Sequence, residues 1–197
     1  MNHEFLDLVD ENGNPTGERE DREIIHATGL RHRTAHLWLM RERCGQVEIL
    51  LQKRSADKDS YPGCYDISSA GHIPAGMDFI PSALRELSEE LGLTATEEEI
   101  VLCGQRRFFH HQVFHGKPFL DHQVSNVYVL VRDVEPSEMT LQTSEVQSVI
   151  WMPLGEVRRH VEAEDPDFCT VLEEVEILER AAQKLFQSSA LFFKNIH

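Results

Sequence analysis

Residues 71–93 constrain the fold of this chain more than any other stretch of its sequence. A loop punctuated by glycine and proline leads into a segment whose leucines recur at helical spacing. This pattern predicts an α-helix over Ser82–Leu91 that ends at Gly92. The alanine and the leucines of the helix fall mostly on one side, so we expect that side to be buried in a core.

Three glutamates, Glu86, Glu89 and Glu90, fall on another side of the predicted helix, within about one turn of each other. Like charges at this spacing weaken a helix by a few tenths of a kcal/mol per pair. A divalent cation reverses that penalty, because Mg²⁺ and Mn²⁺ prefer carboxylate oxygens as ligands. The cluster therefore predicts a metal site that bridges to substrate phosphates, and a solvated acidic helix face is the alternative.

The rest of the sequence predicts strands with helices between them, which indicates an α/β fold with a mixed sheet covered by helices on both faces. The predicted strands are Phe5–Val9, Thr34–Met40, Val47–Gln52, Tyr65–Ser68, Arg106–Phe114, Asp121–Val131 and Val146–Met152. Further helices are predicted from Asp21 through His26, over Leu154–Val161 and over Phe168–Phe186. We divide the chain into an N-terminal strand and short helix (residues 1–29), a catalytic domain (30–163) and a C-terminal helix (164–197) that packs on the same domain or forms a dimer contact.

The charge of the chain excludes several classes of partner. It has 34 Asp and Glu residues against 19 Lys and Arg, for a net charge of -15. Such a surface repels nucleic acid backbones and anionic lipids, so we expect neither a nucleic acid polymer nor a membrane as partner. The acidic N-terminus is unlike a secretory signal, and the 4 cysteines are scattered, which is typical of reduced thiols in a cytoplasmic protein. Bound cations are then expected to hold an anionic substrate.

Residues 71–93 resemble the Nudix box, in which a glycine, a loop glutamate and the run R-E-U-x-E-E-x-G-U stand at fixed offsets, U being an aliphatic residue. The matching residues are Gly71, Arg85, Glu86, Leu87, Glu89, Glu90, Gly92 and Leu93. The resemblance implies a Nudix-type α/β/α sandwich with a mixed β-sheet. It also implies a hydrolase that uses Mg²⁺ or Mn²⁺ to cleave the diphosphate linkage of a nucleoside diphosphate derivative or a similar X-diphosphate.

The resemblance assigns roles to individual residues. Glu86, Glu89 and Glu90 are the implied metal ligands, and Arg85 is implied to orient them by ion pairing. One of these glutamates, or one from another loop, deprotonates the attacking water; Glu145 is a candidate for that base or for a further ligand. The candidate substrate-binding residues are Gly71, His72 and Arg54.

Met77 departs from the Nudix pattern, because it stands where the box has its first glutamate. A thioether is a poor ligand for a hard cation and forms no ion pair with Arg85. The neighbouring Asp78 is the candidate carboxylate for that role. We expect this chain to bind metal but to hydrolyse its substrate more slowly than a variant with glutamate at position 77.

The runs LDLVDENGNPTG, HRTAHLWL and YPGCYDISSAGH are similar to a Nudix branch related to isopentenyl diphosphate isomerase. That isomerase moves a double bond with a cysteine and a glutamate, and it has a metal site rich in histidine. Here Ala70 and Gln123 take the two catalytic positions, and neither side chain transfers a proton. Hydrolysis is therefore favoured over isomerisation. His36 and His72, with His26, form a possible second metal site, and ordinary structural histidines are the alternative.

A third reading of the sequence is a ligand sensor of the Nudix type without catalytic activity. Such proteins typically lose the carboxylates of the box, whereas this chain retains Glu86, Glu89 and Glu90. A homodimer is also expected, since Nudix proteins are often dimers.

Overall fold

The computed structural model describes residues 3–58 and 60–194, and it gives only the backbone of residues 187–194. Its strands are β1 (Phe5–Val9), β2 (Pro15–Asp21), β3 (His32–Arg43), β4 (Gln46–Arg54), β5 (Tyr65–Asp66), β6 (Ser69–His72), β7 (Ile100–Phe114), β8 (Lys117–Val131) and β9 (Val146–Pro153). Its α-helices are α1 (Arg22–Thr28), α2 (Phe79–Leu91), α3 (Leu154–Glu162) and α4 (Leu172–Lys194). Residues 1, 2 and 195–197 of the predicted terminal segments lie outside the described residues.

Seven strands form a mixed sheet in the order β5-β4-β3-β8-β7, with β6 paired to β3 and β9 paired to β4. Strands β3 and β8 are parallel, and the other pairs in this sheet are antiparallel. Side chains alternate across β3, so that Leu37 and Leu39 face the core beneath α2, whereas Trp38 and Met40 face the core beneath α3 and α4. Helices thus cover both faces of the sheet, which confirms the predicted α/β/α sandwich.

The N-terminal segment packs against the loop that leads into α2. Strands β1 and β2 pair as a separate two-stranded sheet, Leu6 is fully buried, and the Phe5 carbonyl accepts a hydrogen bond of 2.8 Å from the Ala75 N–H. Helix α1 begins after its cap Asp21, as predicted, and it extends beyond His26 to Thr28, with Gly29 as its C-terminal cap. Strand β2 was missed because its polar residues lack the apolar alternation that indicates a strand.

Helix α2 begins three residues earlier than predicted. The carboxylate of Asp78 caps it by accepting a hydrogen bond of 2.8 Å from the Phe79 N–H. Pro81 therefore lies within the first turn, where its missing N–H leaves no hydrogen bond unmade. The end of the helix at Gly92, which has a φ of 67°, is as predicted.

The strand predicted over Tyr65–Ser68 is confirmed only for Tyr65–Asp66 (β5), and a second short strand, β6, follows at Ser69–His72 and pairs with a different neighbour. Ser68 separates them and fills the gap between β3 and β4. Its hydroxyl donates to the Leu50 carbonyl at 2.6 Å and accepts from the Leu39 N–H at 2.9 Å. Strand β6 can then run beside β3 and carry residues 69–72 to the foot of α2.

The apolar stripe of the C-terminal helix is used within the chain. Helix α4 starts at Leu172 rather than Phe168, and Val175 and Leu178 are buried in the core that it shares with α3 and the sheet. This stripe is thus not free for a dimer contact, and a homodimer stays a prediction. Neither α4 nor any other helix in the described part of the chain is long and apolar enough to span a membrane.

Candidate active site

Helix α2 approaches β6 so closely that position 71 has no room for a side chain. A Cβ atom on Gly71 would come within 2.6 Å of Cγ of Glu86. One residue earlier, the Ala70 N–H donates a hydrogen bond of 3.2 Å to Oε2 of Glu90. Glu90 is buried and Glu86 is largely buried, whereas the side chain of Glu89 is 51% exposed. Two of the three carboxylates are therefore held against the backbone of β6.

The buried carboxylates have little positive charge near them. Arg85 forms ion pairs with Glu86 and, at 3.2 Å, with Glu89. Burial nevertheless raises the pKa of Glu86 to about 7, since Arg85 only partly offsets it. Burial also raises the pKa of Glu90 to about 8, and the charge of Glu86 adds to this shift. Carboxylates whose burial is only partly offset by a counter-charge fit a divalent cation with a preference for oxygen ligands, such as Mg²⁺ or Mn²⁺.

Glu145 belongs to the same group of carboxylates. It lies just before β9, where its carbonyl accepts a hydrogen bond of 2.8 Å from the Ser55 N–H, and its carboxylate forms an ion pair with Lys58. Its charge helps to raise the pKa of both Glu86 and Glu90. A loop carboxylate distant in sequence thus faces the predicted metal ligands, and Lys58 holds it in place.

These carboxylates line a cavity of about 340 Å³. Histidines of α1 and β6 and aromatic rings of the β7–β8 hairpin line the same cavity. All the candidate site residues named from the sequence line it: Arg54, Gly71, His72, Arg85, Glu86, Glu89, Glu90, Glu145 and His36. The structure therefore brings them to one place, and their contacts distinguish their roles.

The guanidinium of Arg54 is already bound within the chain, which argues against its expected contact with a phosphate. It donates to Oδ2 of Asp66 at 2.9 Å and to the carbonyl of Ser60 at 2.9 and 3.1 Å. The charge of Asp66 and the hydrogen bonds satisfy the arginine. We therefore infer a structural role for Arg54, which holds the loop after β4 in place beside the cavity.

Met77 and Asp78 do not restore the missing glutamate of the box. The Met77 side chain is exposed, and its carbonyl accepts a hydrogen bond of 2.8 Å from Arg33. The carboxylate of Asp78 caps α2 and lies 3.5 Å from Arg33. Because the Asp78 carboxylate is engaged at the start of α2, it does not pair with Arg85. Arg85 pairs with Glu86 and Glu89 instead.

The histidines of the cavity form a different set from the predicted one. His72 lies with His26 and His32, and the ligand atoms of these three rings are within 4.8 Å of one another. Burial lowers the pKa of His26 to about 3 and that of His32 to about 4, and it also lowers the pKa of His72. His36 belongs to another network, because its Nδ1 lies 2.9 Å from the buried carboxylate of Glu174.

Glu174 was missed by the sequence analysis. Besides His36, its carboxylate accepts hydrogen bonds from Trp38 at 2.8 Å and from Arg106, which fixes the start of α4 to the floor of the cavity. His32 and Lys58 were missed as well. The alternation along β3 places His32 on the same face as His36, so the strand pattern carried the signal for His32, whereas none was available for the other two.

Comparison with known proteins identifies the family. The NUDIX domain family matches residues 30–171. The chain is 37% identical over 173 residues to Nudix hydrolase 3 of Arabidopsis thaliana, covering 85% of this chain and 22% of that protein. It is 33% identical over 162 residues to an uncharacterized Nudix hydrolase of Clostridium acetobutylicum, covering 82% of this chain and 76% of that protein. The chain belongs to the Nudix hydrolase family, although it spans only about a fifth of the length of the plant relative.

Solved structures share the fold at lower identity. A Deinococcus radiodurans protein is 18% identical with a TM-score of 0.62, covering 90% of this chain and 98% of that one. The NUDIX domain of Shewanella oneidensis NrtR, solved with ADP ribose, is 17% identical with a TM-score of 0.53, covering 78% and 87%. A binary complex of the C. elegans Ap4A hydrolase is 22% identical with a TM-score of 0.52, covering 78% and 96%. These likenesses concern the fold.

The contact between Gly71 and Glu86 yields a testable prediction. In Gly71→Ala, the added Cβ displaces the Glu86 carboxylate, so we expect Mn²⁺ affinity measured by calorimetry to fall by about 10- to 100-fold. Gly155→Ala is the matched control, because a Cβ at that position meets nothing within 4 Å. Equal Mn²⁺ affinity in the two variants, with both folded by circular dichroism, would show that this contact does not position a ligand.

Proposed function

We propose that this chain is a metal-dependent hydrolase that cleaves the diphosphate linkage of a nucleoside diphosphate derivative or a similar X-diphosphate. The observation that carries the proposal is the group of carboxylates that line the cavity, of which Glu86 and Glu90 are buried and have raised pKa values. Glu86, Glu89 and Glu90 would hold Mg²⁺ or Mn²⁺ there. When bound, such ions neutralise a diphosphate and lower the pKa of bound water.

The residues around the metal ligands have separate roles in the proposed reaction. Arg85 orients Glu86 and Glu89 through its two ion pairs. Glu145 accepts the proton of the attacking water, and Lys58 holds its carboxylate towards the cavity. The water oxygen bonds to phosphorus, the bridging P–O bond breaks, and the leaving phosphate keeps the electron pair.

Two features support a nucleoside derivative as the substrate. The rings of Tyr61, Phe108 and Phe119 line the cavity, and aromatic faces suit a planar base. Two structural neighbours are an Ap4A hydrolase and a domain solved with ADP ribose. The predicted cytoplasmic location is compatible with such substrates.

Isomerisation of an isoprenoid diphosphate is the second candidate, because the sequence is similar to the isomerase-related branch. Ala70 and Gln123, which stand at the positions of the isomerase's catalytic cysteine and glutamate, line the cavity but lack the groups needed for that reaction. Alanine has no ionisable group, and the glutamine amide neither donates nor accepts a proton in acid–base catalysis. A product of unaltered mass would identify this reaction.

Glu89→Gln tests the proposed hydrolysis directly. Removing one implied ligand should reduce metal-dependent release of phosphate or nucleotide from a panel of diphosphates by about 100-fold or more. Glu162→Gln is a matched control, since Glu162 is a half-exposed helix glutamate paired with an arginine four residues earlier, as Glu89 is. Phosphorus NMR and isotopically labelled water give the products and the phosphorus attacked.

Release that requires Mg²⁺ or Mn²⁺ and is lost only in Glu89→Gln supports the hydrolase. No release from any compound by the folded parent chain contradicts it and favours the ligand sensor. Release that persists unchanged in Glu89→Gln contradicts the assignment of the site.

Met77→Glu tests the departure from the box. Since the Met77 side chain is exposed and only its backbone is bonded to Arg33, the substitution should leave the fold intact. An added carboxylate that pairs with Arg85 would release oxygens of Glu86 and Glu89 for the metal, so we expect kcat to rise by about 10-fold. Met77→Gln has nearly the same shape without the charge and should match the parent. Unchanged or lower kcat in Met77→Glu would refute this explanation.

A further inference from the structure

Three histidines from three different elements lie close together, and two of them, His26 and His72, line the same cavity as the carboxylates. His26 comes from α1, His32 from the start of β3 and His72 from the end of β6. Their ligand atoms lie within 4.8 Å of one another, and Nε2 of His26 is 3.4 Å from Nε2 of His72. The chain thus places three imidazole nitrogens around one point although they are far apart in sequence.

A carboxylate completes this group. Oδ1 of Asp121 lies 3.6 Å from Nε2 of His32 and 3.8 Å from Nε2 of His26. Both distances are too long for hydrogen bonds. Within the described residues, Nε2 of His32 and Oδ1 of Asp121 are buried and have no hydrogen-bond partner. His32 is fully buried, so a ligand atom without a partner is aimed into the cluster.

Outer contacts set the direction of these donor atoms. Nδ1 of His32 lies 3.2 Å from the Leu30 carbonyl, to which it can only donate, so the lone pair of the neutral ring is on Nε2. Oδ2 of Asp121 accepts a hydrogen bond of 2.7 Å from Gln123, which turns Oδ1 towards the histidines. Backbone and amide partners of this kind typically orient metal ligands.

The spacing of the four donors matches a coordination shell. Metal–nitrogen bonds of about 2.1 Å in a tetrahedron separate neighbouring ligands by about 3.4 Å. Nε2 of His26 lies 3.4 Å from Nε2 of His72, and Oδ1 of Asp121 lies 3.6 Å from His32 and 3.8 Å from His26. The ligand atoms of the three histidines all lie within 4.8 Å of one another, so a bound ion would draw them slightly closer together. A purely structural cluster of neutral rings accounts for the contact between His26 and His72, but it leaves buried polar atoms of His32 and Asp121 unpaired, which is unfavourable.

We propose that His26, His32, His72 and Asp121 bind a divalent transition-metal ion of the Zn²⁺ or Co²⁺ type. Imidazole nitrogens favour such ions over Mg²⁺, which suits the carboxylates of α2 instead. His26, His72 and Asp121 line the cavity, so the bound ion faces the space that the substrate would enter. The cavity would then border two metal sites, one with oxygen ligands from α2 and one mainly with nitrogen ligands. This inference does not depend on the proposed hydrolysis.

Titration of the metal-free full chain with Co²⁺ tests the site, with visible absorption and metal content as readouts. We expect one Co²⁺ with the intense absorption of a nitrogen-rich site of four or five ligands. His72→Asn and Asp121→Asn should weaken its binding by about 10- to 100-fold or more. His72 and Asp121 are partly accessible, so their variants are expected to fold. They test the site even if His32→Asn, at a fully buried position, does not fold. His111→Asn, on the exposed side of the hairpin, is the matched control.

Glu89→Gln separates this site from the proposed active site. It should abolish hydrolysis while leaving the intense Co²⁺ absorption unchanged. The proposal is overturned if His72→Asn and Asp121→Asn bind Co²⁺ as the parent chain and His111→Asn do. It is equally overturned if the Co²⁺ absorption is weak, as for oxygen ligands, and disappears in Glu89→Gln.

Discussion

Two glutamates of α2 are buried against the backbone of β6, and the arrangement of the cavity depends on this contact. Gly71 permits it, because any side chain there would overlap Glu86, and the Ala70 N–H fixes Glu90. The leucines on the opposite side of α2 anchor the helix in the core over the sheet. Burial of two like charges is unfavourable in the absence of a cation, which raises the pKa of both carboxyls. The core packing of α2 thus holds in place a charge arrangement that a divalent cation would stabilise.

Strand β6 contacts both groups of ionisable side chains. Gly71 faces the carboxylates, and the next residue, His72, belongs to the histidine cluster. The cavity is therefore lined by two groups of different chemistry, one with oxygen donors and one mainly with nitrogen donors. Helix α4 closes the floor through the contacts of Glu174 with His36, Trp38 and Arg106. These contacts explain why His36 is held as a structural residue, apart from the other three histidines.

The sequence was sufficient for features that are local and insufficient for those that depend on strand pairing. The helical spacing of the leucines and glutamates of α2 is visible in the sequence, because residues three and four apart share a helix face. The start of α2 was predicted three residues too late, because the helical spacing of the leucines does not reveal that Asp78 is the cap. The predicted set of residues around His72 lacked His32 and Asp121. These two residues come together only because β3 pairs in parallel with β8, with His32 opposite Gln123. No local pattern specifies that register. The internal partners of Arg54 were likewise not predictable from its place at the end of a strand.

Thermal unfolding of the metal-free chain at about pH 7 and about pH 9 tests the central claim most directly. The folded pKa of Glu90 is about 8, above its ordinary value of 4.5, so its contribution to stability is present at low pH and is lost as pH rises towards 8. The histidines whose pKa burial lowers act in the opposite direction, but below this range. The account predicts that Tm falls between the two pH values, that Mg²⁺ restores it, and that Glu90→Gln reduces both effects more than Glu89→Gln does. Equal pH dependence in the parent and Glu90→Gln, with no response to Mg²⁺, would contradict it.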